Sequence, residues 1–146
     1  MKKLLIFSAL VATIIAFPAH SRDTVHMLPL EDALKMPDAQ AKLDGSVEFY
    51  FAGQDHPPIE RSLVETFTNK KTNAFGKSDE DACNWVFLSA MIALQDRAKR
   101  EGADAVVDIV SYYDKREIAS ATEFECHAGA IMAGVALKGN FVMLQD

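Results

Sequence analysis

The chain has 146 residues, of which 49% are hydrophobic and 25% charged, and its formal net charge is −6. This length suits one domain with one hydrophobic core. The acidic balance disfavours nucleic acids and anionic membrane surfaces as partners, because both would repel the protein.

The first 21 residues have the pattern of a secretory signal peptide. Lys2 and Lys3 supply a positive start, an apolar run over residues 4–17 follows, and Ser21 closes a cleavage site of small residues. The apolar run is shorter than the roughly 20 residues that span a bilayer. We expect cleavage after Ser21, no membrane anchor afterwards, and a periplasmic or secreted protein; an uncleaved membrane anchor is the alternative. Residues 22–146 should then form a single domain, with 13 Lys and Arg against 21 Asp and Glu.

The N-terminal half of this domain predicts a helical segment followed by two strands. Residues 22–43 carry two short helical pieces that Pro37 interrupts. Residues 46–53 alternate apolar and polar side chains, which is typical of a strand, and residues 59–68 have a second strand pattern. A polar loop over residues 69–77 leads to the next element.

A long helix and two further strands complete the predicted fold. Ser78 is a suitable N-cap ahead of three acidic residues, and the helix runs to Glu101 before Gly102 ends it. Residues 104–113 predict the third strand, and residues 122–138 predict the fourth. The order β-β-α-β-β indicates an α+β fold, in which one long helix packs on a small, mainly antiparallel sheet. A right-handed crossover should join the second and third strands if they are parallel neighbours.

The two cysteines of the chain, Cys83 on the predicted helix and Cys126 on the predicted fourth strand, predict a disulfide. An even number of cysteines in an exported chain favours pairing. The helix stripe with Cys83 and the strand face with Cys126 should meet, and both residues fall at the same end of these elements. Two separate buried thiols are the alternative.

Cys126 and His127 are adjacent, but this fold does not make them a catalytic pair. Neighbouring strand residues point to opposite faces, so the two side chains diverge. We expect His127 to be partly exposed between acidic neighbours, with a metal site shared with Glu125 as the alternative. The other histidines of the domain, His26 and His56, have no metal-ligand spacing. The sequence therefore predicts no catalytic residue, metal or cofactor, and leaves open whether the three histidines form a site.

Residues 71–78, KTNAFGKS, partly match a phosphate-binding loop. Gly76, Lys77 and Ser78 precede the helix as in that motif, but Lys71 stands where the motif has its first glycine. We expect a solvated loop with a helix cap, and no nucleotide binding.

The long helix is apolar on two sides. Trp85, Leu88 and Ile92 lie opposite the stripe that contains Cys83, and an apolar helix face of this kind needs a cover. The N-terminal segment over residues 22–43 is the expected cover. A partner protein or a second copy of the chain is the alternative, which makes these three residues a candidate partner surface.

Three segments, NKKTNAFGKSDEDACNW, GADAVVDIVSYY and EFECHAGAIMAGVALKG, resemble a family of small exported bacterial proteins of unknown function, often labelled as an excinuclease ATPase subunit. This resemblance covers the whole chain. Residues 98–138 are also similar, more weakly, to the YbjQ-like domains and to the Rcs stress-sensing outer-membrane lipoprotein, a disulfide-bonded envelope sensor. The weaker resemblance implies a compact helix-on-sheet fold and a role in oligomers or in partner binding.

Taken as a sequence, the chain favours a non-enzymatic binding or interaction module of the cell envelope, with an envelope protein or a second copy as partner. The reason is that no catalytic constellation is present. A periplasmic hydrolase that uses Asp55, His56, Glu125 and His127 is one alternative, and a metal-binding or metal-sensing protein is another. The spacing of these polar residues selects no reaction.

Overall fold

The computed structural model describes residues 21–146, and it confirms the predicted α+β class. The elements are β1 (Thr24–Pro29), α1 (Leu30–Lys35), α2 (Pro37–Lys42), β2 (Glu48–Phe51), β3 (Ile59–Asn73), α3 (Asp79–Glu101), β4 (Ala105–Ser111), a short turn (Tyr113–Lys115), β5 (Glu123–Ala128) and β6 (Met132–Leu144). The predicted signal peptide lies outside these residues except for Ser21. Within the described part of the chain, no helix has the length and hydropathy that a membrane span needs.

The sheet is organised around β6. One edge of β6 pairs antiparallel with β3 along its whole length, and the other edge pairs first with β5 and then with β4. β1 extends the sheet antiparallel beyond β5, and β2 extends it parallel beyond β4. β3 and β4 therefore run in the same direction but are separated by β6. The long helix connects these two strands, so the condition of the crossover prediction, that they are parallel neighbours, is not met.

A hairpin replaces the single strand that the sequence predicts over residues 122–138. β5 ends at Ala128, and the N–H of Gly129 donates to the carbonyl oxygen of Met132 at 2.7 Å across the turn. A side chain at Gly129 would not fit, because an added Cβ would lie 2.9 Å from the carbonyl oxygen of Arg22. The prediction of one strand is wrong. The turn is not recognisable in the sequence because Ala130 and Ile131, which form it, are not typical turn residues.

Two other elements differ from the prediction. The start of the segment over residues 22–43 is a strand, β1, in which exposed and partly buried residues alternate. β3 continues to Asn73, so the first part of the predicted polar loop is strand. Lys70 and Lys71 are tolerated there because β3 is an edge strand, and charges on an edge strand discourage pairing with other chains.

Helix α3 covers one face of the sheet and begins and ends as predicted. The hydroxyl of Ser78 accepts a hydrogen bond from the N–H of Asp81 at 3.1 Å, which caps the first turn. Gly102 ends the helix in the left-handed conformation, with φ of 75°. The helix thus spans the sheet from the β3 side to the start of β4.

The main core lies between α3 and this face of the sheet. Phe87 of the helix stacks on Phe124 of β5 with ring centroids 4.2 Å apart, and both side chains are fully buried. Cys83 and Cys126 form a disulfide in the same layer, with Cα atoms 5.8 Å apart. The structure therefore contains the disulfide that the sequence predicts.

Candidate functional site

The candidate site lies on the sheet face opposite α3, which we call the open face. Strand register places Val25 of β1, His127 of β5, Gly134 of β6 and Lys71 of β3 side by side in one row across four strands. Cys126 points to the other face, where its disulfide reaches α3. The predicted divergence of Cys126 and His127 is therefore confirmed.

His127 is held on all sides at the centre of this row. Its Nδ1 lies 3.1 and 3.2 Å from the two carboxylate oxygens of Asp23, and its Nε2 lies 3.0 Å from Oε1 of Glu125. The ring of Tyr113 stacks on the imidazole at 3.7 Å, with 9° between the planes. The histidine is only 9% exposed, so the predicted partial exposure is wrong, although the acidic surroundings are as expected.

Glu125 is a buried carboxylate whose charge is balanced. It accepts hydrogen bonds from Nη2 of Arg116 at 3.1 and 3.3 Å, in addition to its contact with His127. Its backbone N–H donates to the hydroxyl of Ser111 at 2.9 Å. A buried carboxylate is tolerated only when it is paired in this way. The contacts also fasten the loop that carries Arg116 to the open face.

Tyr113 lies directly over Gly134, and the glycine makes this possible. An added Cβ at Gly134 would lie 3.1 Å from Cε2 and 3.6 Å from Oη of the tyrosine. Burial, followed by the charges of Asp23, Asp114 and Glu125, raises the pKa of the Tyr113 hydroxyl above its ordinary value. The hydroxyl is consequently protonated at neutral pH and is a hydrogen-bond donor.

A pocket of about 480 Å³ opens beside Tyr113 and His127. We call it the Tyr113 pocket. This volume falls in the range of small-molecule sites. Two side chains at its rim are exposed apolar groups, Ile131 at 64% and Met132 at 47%. Besides Ser21, which the expected cleavage would remove, the lining residues are Arg22, Asp23, Lys71, Tyr113, His127 and residues 129–134.

Arg22 fixes the end of the pocket where β1 begins. Its guanidinium donates to both carboxylate oxygens of Asp79 at 2.7 and 2.9 Å, and to the carbonyl oxygen of Gly129 at 2.8 Å. Nε2 of His26 lies 2.8 Å from the same carboxylate. Arg22, and after it His26, holds the pKa of the Asp79 carboxyl well below its usual range. These contacts join the start of β1, the β5–β6 turn and the first residue of α3.

The three histidines of the described chain do not form a common site. His26 faces α3, and His127 lies on the open face. His56 lies in the loop after β2, where its ring packs on Tyr50 with centroids 5.5 Å apart. In residues 21–146, no group of three or more His, Cys, Asp or Glu side chains has the arrangement of a metal site. His127 itself has both ring nitrogens engaged and one ring face covered.

The candidate partner surface on α3 is already partly covered. Leu88 is buried, Ile92 is partly buried, and Trp85 is 40% exposed. The ammonium of Lys42, from α2, lies 5.1 Å from the centroid of the Trp85 ring. The N-terminal segment therefore contributes to the cover of this helix face, and a partner role for it stays a prediction.

Residues 71–78 are largely committed to local structure. The ammonium of Lys77 donates to the backbone carbonyl oxygen of Asn73 at 3.2 Å, and Gly76 has φ of 72°. Ser78 caps α3 as described above. The absence of nucleotide binding remains a prediction.

No family model and no curated protein matches the chain. A crystal structure of a protein with unknown function from Pediococcus pentosaceus ATCC 25745, which belongs to the DUF74 family, is similar over 66% of this chain and 98% of that chain. The two sequences are 9% identical and the TM-score is 0.46. A similarity at this level transfers no function to the chain.

Proposed function

We propose that this chain is an exported, non-enzymatic binding module of the cell envelope, and that its ligand binds in the Tyr113 pocket. The observation that carries the proposal is the pocket itself, which combines exposed apolar side chains with a rigid polar wall. Ligand sites commonly have this composition, because the apolar surface supplies affinity and a few fixed polar groups orient the ligand.

The polar groups of the wall favour binding over catalysis. A general base needs an unoccupied nitrogen or oxygen within reach of the substrate. The carboxylates of Asp23 and Glu125 occupy both nitrogens of His127, and Arg116 and His127 occupy the Glu125 carboxylate. Such an array supports a fixed pocket shape and offers little for proton transfer.

Export is the second part of the proposal. It is supported by the signal-peptide pattern of the first 21 residues and by the Cys83–Cys126 disulfide, since disulfides persist in oxidising compartments. Cell fractionation should recover the protein outside the cytoplasm with Arg22 as its first residue. Recovery in the cytoplasm with an intact N-terminus would contradict this part of the proposal.

The binding proposal can be tested with N-phenylnaphthylamine, a neutral probe whose fluorescence rises in apolar sites. The protein should bind the probe saturably, and Ile131→Ser should weaken binding several-fold because the isoleucine lies at the pocket rim. Ile59→Ser is the matched control, since Ile59 is also exposed but lies at the opposite end of the sheet. Binding that does not saturate, or that responds equally to both variants, would contradict the proposal.

A further inference from the structure

We infer that the Tyr113 pocket binds a small amphiphile with a carboxylate, which Lys71 and Tyr113 hold while the hydrocarbon part lies against Ile131 and Met132. This inference rests on the proposed binding function and specifies its ligand class.

Two hydrogen-bond donors converge on the pocket from either side of Gly134. Lys71 is the cross-strand partner of Gly134 in the β3–β6 pairing, so its side chain rises from the open face next to the glycine. Tyr113 reaches the same glycine from above, and its hydroxyl lies 3.6 Å from the position of an added Cβ. Cross-strand neighbours are about 5 Å apart at Cβ, so the ammonium and the hydroxyl can contact one small group.

Carboxylates lie near the Tyr113 hydroxyl, so binding of an anionic group depends on a cation of the pocket lining that is not already paired. Arg22 is bound to Asp79, and the carboxylate of Asp23 faces Nδ1 of His127. The ion pairs formed within residues 21–146 do not use Lys71. An ammonium and a phenolic hydroxyl both donate hydrogen bonds, and a carboxylate accepts several.

The rim of the pocket determines the rest of the ligand. Ile131 and Met132 are large apolar side chains that are exposed at the mouth, next to the small side chain of Ala130. A methionine adapts its shape to an irregular apolar ligand. Each methylene group that a ligand buries against this rim should tighten binding about fourfold. A charged head with a short aliphatic chain therefore fits both parts of the pocket.

The test compares three ligands of equal chain length: octanoate, octanol and octylammonium. Each is titrated, below its micelle concentration, into isotope-labelled protein purified from cells that express the full chain, and the amide NMR shifts of residues 129–134 are followed. Octanoate should bind about tenfold more tightly than octanol, and octylammonium should bind most weakly. Lys71→Met should reduce octanoate binding to the octanol level and leave octanol binding unchanged.

Two further variants separate the contact from a change of structure. Tyr113→Phe keeps the ring over Gly134 but removes the hydroxyl. This variant should weaken the binding of octanoate several-fold more than the binding of octanol. Lys70→Met is the matched control, because Lys70 pairs with Val135 and points to the opposite face of the sheet. It should leave all three affinities unchanged.

The outcomes distinguish this inference from the function on which it rests. Equal binding of octanoate and octanol, with no effect of Lys71→Met, would overturn the inference about the carboxylate. The proposed binding function would still stand. Absence of shifts in residues 129–134 with all three ligands would also overturn the inference, and the N-phenylnaphthylamine titration would then decide the proposed function separately. If Lys70→Met and Lys71→Met weaken octanoate binding equally, the effect comes from general surface charge. The specific contact between Lys71 and the carboxylate would then be rejected.

Discussion

Gly134 shows how the absence of one side chain determines the position of another. The ring of Tyr113 can stack on His127 at 3.7 Å only because nothing projects from the strand beneath it. The stack in turn closes one side of the array formed by Asp23, His127 and Glu125. The glycine therefore leaves room for the ring that covers the His127 imidazole and forms part of the pocket wall.

Gly134→Ala is expected to displace the Tyr113 ring slightly, because the added methyl group would lie 3.1 Å from Cε2 of the ring, closer than an ordinary contact. The NMR signals of the His127 imidazole should shift because the stacked ring changes position. Gly139→Ala is the control at a glycine far from the imidazole. Its added Cβ would lie 2.7 Å from Cγ1 of Val106, so this variant should lose stability. Gly139→Ala should leave the His127 signals in place. A Gly134→Ala protein with unchanged His127 signals would contradict the claim that Gly134 makes room for the Tyr113 ring.

Part of the site can be predicted from residues that are close in the sequence. The alternation in EFECHA places Glu125 and His127 on one face and Cys126 on the other, as the structure confirms. The remaining members come from elsewhere: Asp23 is 104 residues from His127. Arg116 lies in a loop without periodicity, where no pattern indicates which way a side chain points. The burial of His127 could not be predicted without these distant contacts.

At the level of elements, β1 depends on ion pairs at its start as well as on its pairing with β5. It is a short edge strand of six residues, and every second side chain is exposed. The hydrogen bonds from Arg22 to Asp79 attach it to the positive end of α3, where a carboxylate is already favoured by the helix dipole. The attachment should therefore respond to the charge of Asp79.

This contact predicts sensitivity to acid. The pKa of Asp79 is lower in the folded protein than in the unfolded chain, so the contact stabilises the fold above about pH 4 and this contribution is lost as the pH falls below that value. Arg22→Met should lower the urea midpoint of unfolding at neutral pH. The difference in urea midpoint between this variant and the unchanged protein should shrink toward pH 2. Arg97→Met removes an exposed pair with Glu101 and should have little effect at any pH. If the urea midpoints of Arg22→Met and of the unchanged protein differ by the same amount at every pH, this role of Asp79 is contradicted.

The disulfide is expected to be the strongest single link between α3 and the sheet. It joins residues 43 positions apart, and closing a loop of that size removes about 4 kcal/mol of chain entropy from the unfolded state. Cys126→Ser should therefore cost roughly 2–5 kcal/mol in urea unfolding. Mass mapping of exported protein without reductant should find one linked peptide pair. Two free thiols in that material would sink the prediction.

The elements that the sequence predicts well are those with strong periodicity or clear end signals. Ser78 and Gly102 mark both ends of α3, and the alternation over residues 46–53 marks β2. The β5–β6 hairpin is hidden because its turn is formed by small and apolar residues, which read as a continuous strand. β1 is hidden because it is half exposed and is followed directly by helical residues. In both cases pairing with distant strands, and not local preference, determines the structure.

For the molecule as a whole, Trp85 tests whether the domain is self-contained. If the N-terminal segment is its main cover, the protein should be a monomer by light scattering, with intermediate tryptophan emission that acrylamide quenches in part. Trp85→Ala should then lower stability by less than about 3 kcal/mol and leave the molecular mass unchanged. A dimer that dissociates in Trp85→Ala but not in Phe75→Ala, another exposed aromatic residue, would instead identify a partner surface.

The length of β6 has a practical consequence for experiments that attach the protein to a surface. Its first residues form the floor of the Tyr113 pocket, and its last residue, Leu144, is two positions from Asp146. A strand of 13 residues is about 40 Å long, so a label placed after Asp146 lies far from the pocket. A label placed before Arg22 would sit at the pocket mouth. A biosensor surface that captures the protein through residue 146 should thus present the pocket to solution, whereas capture through the N-terminal end would block it.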